Sequence, residues 1–161
     1  MRESNFASEI KQASYNFDCF YYKIPDISQA QRFIPSKPFD AFVLYKGKYH
    51  AMEYKMHKRH TAWSFKEVKD HQIQGLMDVV EKGKGMGWVV VNIRYKGMNR
   101  TFAKSVYNFV LQKSLYENEY DKKSIPIKEL MITWKEITRK SRNKDGKLCW
   151  DLEEFLIDSP Y

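Results

Sequence analysis

Residues 39–55, FDAFVLYKGKYHAMEYK, decide the fold. Two strand-like runs, 39–45 and 48–55, flank Lys46-Gly47, and a Gly at that place suits a tight hairpin that needs positive φ. A two-residue turn sets Tyr45 opposite Lys48 and, by the same register, Asp40 opposite Glu53 with Cβ atoms about 5 Å apart. Lys55 lies two residues beyond Glu53 and so shares its face. Three ionisable groups therefore converge on one patch of sheet.

Outward from the hairpin, Phe6, Ile10, Ala13 and Phe17 repeat at helical spacing and predict an amphipathic helix over 5–16, with Glu9 at the edge of its apolar face. Residues 19–24 alternate and are rich in Tyr and Phe, which predicts a strand, and a short polar helix is expected at 28–31. Ser64-Phe65-Lys66-Glu67 has the form of a capping box, so a helix is expected to begin there. Its stripe runs through Phe65, Val68, Gln72, Leu76 and Val79, with Gly83 as its C-terminal cap; Gln72 is the one polar member. The apolar run 88–93 predicts a central strand buried on both faces. Residues 101–115 show helical spacing, a further segment starts at 125–127, and Asp145-Gly146 predicts a hairpin between 138–143 and 148–152 before a short helix at 153–156. The expected fold class is α/β: a mixed central sheet flanked by helices.

The chain has 161 residues, enough to bury a core, and 43% hydrophobic content excludes a disordered chain. A single domain spanning 1–161 is expected, with a core at about 5–95 and a C-terminal helix and hairpin region at 98–161. No apolar run is long enough to cross a bilayer and the N-terminus lacks a signal-peptide pattern, so a cytoplasmic protein is expected. Cys19 and Cys149 lack metal-ligand spacing, and His57 and His60 have no second ligand pair to follow them, which argues against structural zinc. A net charge of +8 favours a polyanionic partner, and the densest basic stretch, 55–60 with Lys58 and Arg59, directly follows the acidic patch.

Two carboxylates about 5 Å apart repel by roughly 3 kcal/mol at an effective dielectric of 20, so the hairpin needs a compensating cation. Mg²⁺ is suited to this, being held by one or two carboxylates with its other positions filled by water and substrate phosphate. Lys55 beside it could position or help deprotonate a water, and the chemistry is then phosphodiester hydrolysis. The alternative reading is an ordinary Glu53–Lys55 ion pair on a solvated strand.

Pro38-Phe39-Asp40, Met52-Glu53-Tyr54-Lys55, Val68-Lys69-Asp70-His71-Gln72 and Trp88-Val89-Val90-Val91, in this order and at these intervals, resemble the PD-(D/E)XK nuclease superfamily, and within it the RecU-type Holliday junction resolvases. The resemblance implies a restriction-endonuclease-like fold and metal ligation by Asp40, Glu53 and the backbone carbonyl of Tyr54, with Mg²⁺ or Mn²⁺ as the ion. It implies water activation by Lys55, an acidic helix residue near the metal at Glu9 and a polar helix residue at Gln72. Ser36, Lys58, Arg59 and His71 are then the expected DNA contacts. The stretch 26–38 is shorter than the insertion RecU proteins carry there. The function implied is a structure-selective DNA endonuclease that cuts four-way junctions in recombination and repair. Because a junction has two-fold symmetry and resolution needs paired cuts, a homodimer is expected. Another nuclease on the same scaffold, of restriction or exonuclease type, and a non-catalytic DNA-binding recombination accessory are the alternatives.

Overall fold

A computed structural model describes residues 3–26, 36–140 and 149–159. Helix α1 (Glu3–Ser14) precedes strand β1 (Phe20–Lys23), then β2 (Ala41–Tyr45) and β3 (Lys48–His57) form the expected hairpin. Lys46 and Gly47 both have positive φ, 47° and 74°, and Tyr45 pairs with Lys48 as the two-residue turn requires. Strand β4 (Ala62–Ser64) and a 3₁₀ turn over Phe65–Glu67 lead to α2 (Asp70–Glu81) and β5 (Met86–Tyr95). Strand β6 (Met98–Ser105), α3 (Val106–Glu119), β7 (Ser124–Pro126), α4 (Ile127–Thr133), β8 (Lys135–Ile137), β9 (Arg139–Lys140), β10 (Cys149–Trp150) and α5 (Leu152–Ile157) complete the order.

Six strands form one mixed sheet in the order β1-β2-β3-β5-β6-β8, with β3 and β5 parallel and the other pairs antiparallel. Trp88 through Ile93 is buried throughout, as a strand covered on both sides must be. Met52, Tyr54, Trp88 and Val90 face a core made with Phe6, Ile10 and Ala13 of α1 and Phe155 of α5. Ala51, Val89, Val91 and Phe102 face the other core, made with Leu76 of α2, Phe109 of α3 and Leu130 of α4. Glu53 and Lys55 thus belong to the α2 face.

Three expectations change. Ser64 does accept from the Lys66 N–H, but it caps only the 3₁₀ turn; Val68 is extended and α2 starts at Asp70. The Phe65 N–H bonds the Lys123 carbonyl, so a tertiary partner takes the backbone donor the helix would have used. Residues 101–105 are strand, because Lys96-Gly97, with φ of 42° and 81°, repeats the Lys46-Gly47 turn and folds β6 back on β5. At the end of α2 the left-handed residue is Lys84, not Gly83. The helix expected at 28–31 and the Asp145-Gly146 turn lie outside the described residues, although β9 and β10 pair antiparallel at the base of that hairpin.

Glycine brings α2 onto the sheet. A Cβ at Gly75 would lie 2.6 Å from the Pro38 carbonyl oxygen, and one at Gly87 2.8 Å from the Leu76 carbonyl oxygen. Only a residue without a side chain allows these backbones to meet, and the contacts seat the middle of α2 against Pro38 and β5.

Candidate active site

The register of the hairpin carries Asp40 to Glu53. Ala41 pairs with Met52, and the Asp40 N–H donates to the Met52 carbonyl, so the next step outward sets the two acids side by side. Asp40 Oδ2 accepts from the Tyr54 N–H at 2.8 Å and Oδ1 meets Lys37 Nζ at 2.7 Å. Tyr54 therefore presents its backbone to Asp40, and a strand residue's carbonyl points the same way as its N–H.

Glu53 is 1% exposed. Its Oε1 accepts from Lys55 Nζ at 2.8 Å and from Gln72 Nε2, while Oε2 is buried and has no hydrogen-bond partner among the described residues. Burial, then repulsion from Asp40, pushes the Glu53 carboxyl up to about 7 despite the opposing Lys55 charge. Gln72 is held at its other end, because its Oε1 accepts from the Lys69 N–H at the start of α2. The polar interruption of the α2 stripe is thus a brace between a helix terminus and the buried acid.

A cavity of about 160 Å³ opens beside Asp40, lined by Glu3, Ala7, Lys23, Asp26, Lys37, Asp40 and Tyr54. Burial pushes the Glu3 carboxyl up, with Lys55 opposing and Asp40 and Glu67 adding to the rise. Glu3, not Glu9, is the helix acid at this site. Glu9, on the same helix, does not line the cavity; its Oε2 accepts from Arg94 Nη2 and from Trp150 Nε1 at 3.1 Å. The signal for Glu3 was present: it sits three residues before Phe6 and seven before Ile10, in helical spacing with them, whereas a helix started at residue 5 leaves it out.

Lys37 is the second residue the sequence did not single out; its ammonium bridges Asp40 and Asp26, the latter at 2.6 Å. Ser36, Lys58, Arg59 and His71 are all exposed. His60 packs on Tyr95 at 4.8 Å between ring centroids, and burial pushes the half-buried His57 down.

A divalent ion fits this donor set. Two carboxylates on neighbouring strands, one of them buried with an oxygen lacking a partner among the described residues, supply hard oxygen ligands. Among the described residues no three His, Cys, Asp or Glu side chains gather into a metal-holding cluster. An ion held there could activate a water for attack on a phosphodiester.

The family model described as recombination protein U matches residues 23–144. Among solved structures, the chain is similar to Hjc of Archaeoglobus fulgidus, a Holliday junction resolvase, with a TM-score of 0.47 and 12% identity over 66% of this chain and 75% of that one. No curated protein matches the chain by sequence.

Proposed function

The chain belongs to the recombination protein U family of Holliday junction resolvases, and we propose that it cuts four-way DNA junctions by Mg²⁺-dependent hydrolysis, with residues 1–161 acting as one nuclease domain and two copies acting together. The observation that carries the reading is the buried Glu53 carboxylate beside Asp40, with its Oε2 unpartnered among the described residues and Lys55 on its Oε1.

Asp40 and Glu53 would hold the ion, with the Tyr54 carbonyl as a further ligand and Glu3, which lines the cavity beside Asp40, adding negative charge. Bound there, Mg²⁺ or Mn²⁺ supplies electrostatic stabilisation of the charge that develops on the scissile phosphate. Lys55 does two things from one position. Its Nζ neutralises Glu53 and, at the rim of the site with its side chain 12% exposed, orients a water by donating to it. Gln72 keeps the Glu53 carboxylate in one rotamer, so the geometry is in place before DNA arrives. Lys58, Arg59, His71 and Ser36 lie on exposed segments next to these elements and meet the DNA backbone.

Synthetic junctions, duplex, flap and single-stranded DNA incubated with Mg²⁺ test the reading. Paired nicks placed symmetrically at the junction are expected. Asp40→Asn and Glu53→Gln abolish cutting and retain junction binding, because basic residues carry most of the phosphate attraction. Lys55→Ala slows cutting without weakening metal binding. Preferential duplex or end cleavage makes the chain another kind of nuclease on this scaffold; binding without cutting under Mg²⁺ or Mn²⁺ makes it an accessory protein.

A further inference from the structure

A cavity of about 570 Å³ opens where β5 begins and β6 passes into α3, and none of the residues assigned to cleavage lines it. Its walls are apolar, with Val80 of α2, Met86 and Trp88 of β5 and Val106 of α3 among them. Two half-buried lysines interrupt those walls, Lys104 near the end of β6 and Lys135 at the start of β8. Ala103 pairs with Lys135, so Lys135 stands on the α1 face of the sheet and Lys104 on the α2 face, and their stems flank the end of β6. Lys104 Nζ donates to the Thr133 carbonyl at 3.0 Å and lies 5.8 Å over the Trp134 ring. Lys135 Nζ donates to the Phe155 carbonyl at 3.2 Å and lies 5.1 Å over the Phe155 ring. Among the described residues neither ammonium forms an ion pair with a carboxylate.

We infer that this cavity is a docking site for an acidic polypeptide segment, which places an apolar side chain between its walls and flanking carboxylates on Lys104 and Lys135. The site is independent of the cleavage reading. Charge selects the occupant. Burial pushes both amines down, with Asp158 and Glu154 opposing it in part at Lys135, so each cation lacks the compensation a paired anion gives. A carboxylate reaching either would exchange a neutral carbonyl acceptor for a charge-assisted bond, and the net charge of +8 draws an acidic partner towards it. The volume is that of a ligand site, and apolar walls with a few placed polar groups are how such a site holds an apolar anchor. The surface around the rim makes the ligand a polypeptide rather than a small molecule. Tyr107 and Leu111, one turn apart on α3, are 46% and 66% exposed, and Ile132 of α4 is 82% exposed. Gln112 donates to Thr133 Oγ1 and accepts from Trp134 Nε1, which joins α3 to the end of α4 beside the cavity. A small molecule filling the cavity leaves that apolar rim bare, whereas a chain running out of it covers the rim. DNA is disfavoured, because its backbone is tracked by cations in an open groove and these two are recessed against carbonyls and rings.

Fluorescence anisotropy tests the site, with a labelled peptide of alternating Asp and Ser ending in Leu-Phe titrated with the full-length chain at low salt. Saturable binding is expected. Lys104→Met and Lys135→Met keep the apolar stems and remove the charge, and each is expected to raise Kd about 10-fold. Lys128→Met, at an exposed lysine of α4 outside the cavity, is expected to raise it less than about 2-fold. The same peptide ending in Ser-Ser is expected to bind about 10-fold more weakly, having lost its anchor. Asn108→Trp, which sets a large ring at the rim, is expected to abolish binding and carries the test if the lysine variants do not fold. Absence of binding by wild type would overturn the assignment, as would unchanged binding by folded Lys104→Met and Lys135→Met. Equal binding of the Ser-Ser peptide, or an equal loss in Lys128→Met, would make the attraction diffuse and overturn it too. A junction oligonucleotide that displaces the peptide and itself loses affinity in Lys104→Met would make the cavity a DNA surface, with the same result. A wild type that binds the peptide as described and cuts no junction refutes the proposed function and leaves this site standing.

Discussion

Gln72 joins the first turn of α2 to Glu53: its Oε1 accepts the Lys69 N–H at 2.9 Å while its Nε2 donates to Glu53 Oε1. One side-chain amide therefore caps a helix and orients a buried carboxylate, and both roles are lost together when it is removed.

Gln72→Ala is expected to lower stability by about 1 kcal/mol through the lost cap and to slow cleavage about 10-fold or more by freeing the Glu53 rotamer. Gln72→Glu places a second acid against Glu53; it preserves the acceptor for Lys69 but slows cleavage further. Single-turnover cleavage beside thermal unfolding checks both. Wild-type cleavage by Gln72→Ala would remove Gln72 from the site.

Glu3 and Glu9 separate by function. Glu3→Gln is expected to weaken divalent-ion binding and cutting with little change in stability, because Glu3 faces the cavity beside Asp40. Glu9→Gln leaves ion binding intact and lowers the melting temperature, since Arg94, only 12% exposed at its side chain, loses a charged partner. Calorimetric titration with Mn²⁺ distinguishes them, and a swapped pattern would return the role to Glu9.

Two buried groups give opposite pH dependences. Glu53 sits at about 7 through burial and then Asp40, so the folded form holds a proton the unfolded chain has released; its contribution is full below about pH 4.5 and is lost as pH rises through 7. His50, pushed down to about 4 by burial and then Lys48, contributes stability above pH 6.5 that is lost as pH falls through 4. Trp88 Nε1 donates to His50 Nδ1 at 3.2 Å, which holds the neutral ring in one tautomer. In metal-free wild type these two slopes offset across their shared window. Glu53→Gln removes one, so its stability should rise from about pH 4.5 to 6.5, relative to wild type, by up to roughly 3 kcal/mol. Denaturant unfolding in chelator at several pH values reads the difference, and parallel curves would contradict the buried-acid assignment.

Gly75→Ala tests the seating of α2. The new Cβ would meet the Pro38 backbone at 2.6 Å, which no rotamer change relieves. Loss of about 1 to 3 kcal/mol is expected, together with slower cleavage, as α2 and Gln72 move away from β3. Unfolding and cleavage measured on the same preparation check that the two fall together.

Much of the centre of this fold was legible. The Lys46-Gly47 turn set the register, and register alone carried Asp40 to Glu53 and aligned Lys55 with them. The buried run at 88–93 identified the central strand because a strand covered on both faces has no polar alternation to hide it. The same turn chemistry at Lys96-Gly97 went unread, and its helix-like apolar spacing at 101–115 merged a strand with the following helix. Periodicity over a few residues does not separate the two, and the pairing that does is non-local.

Local chemistry in the chain thus dictated the hairpin, its register and the carboxylate pair, because turn geometry and alternation act over neighbouring residues. Which helix acid stands at that pair, which helix Gln72 caps, and which sheet face is left uncovered were decided by packing. Glu3 and Glu9 sit six residues apart on one helix and point to different sides of it. Only the angle at which α1 crosses the sheet, set by Phe6 and Ile10 against Tyr54 and its neighbours, assigns one to the cavity and the other to Arg94.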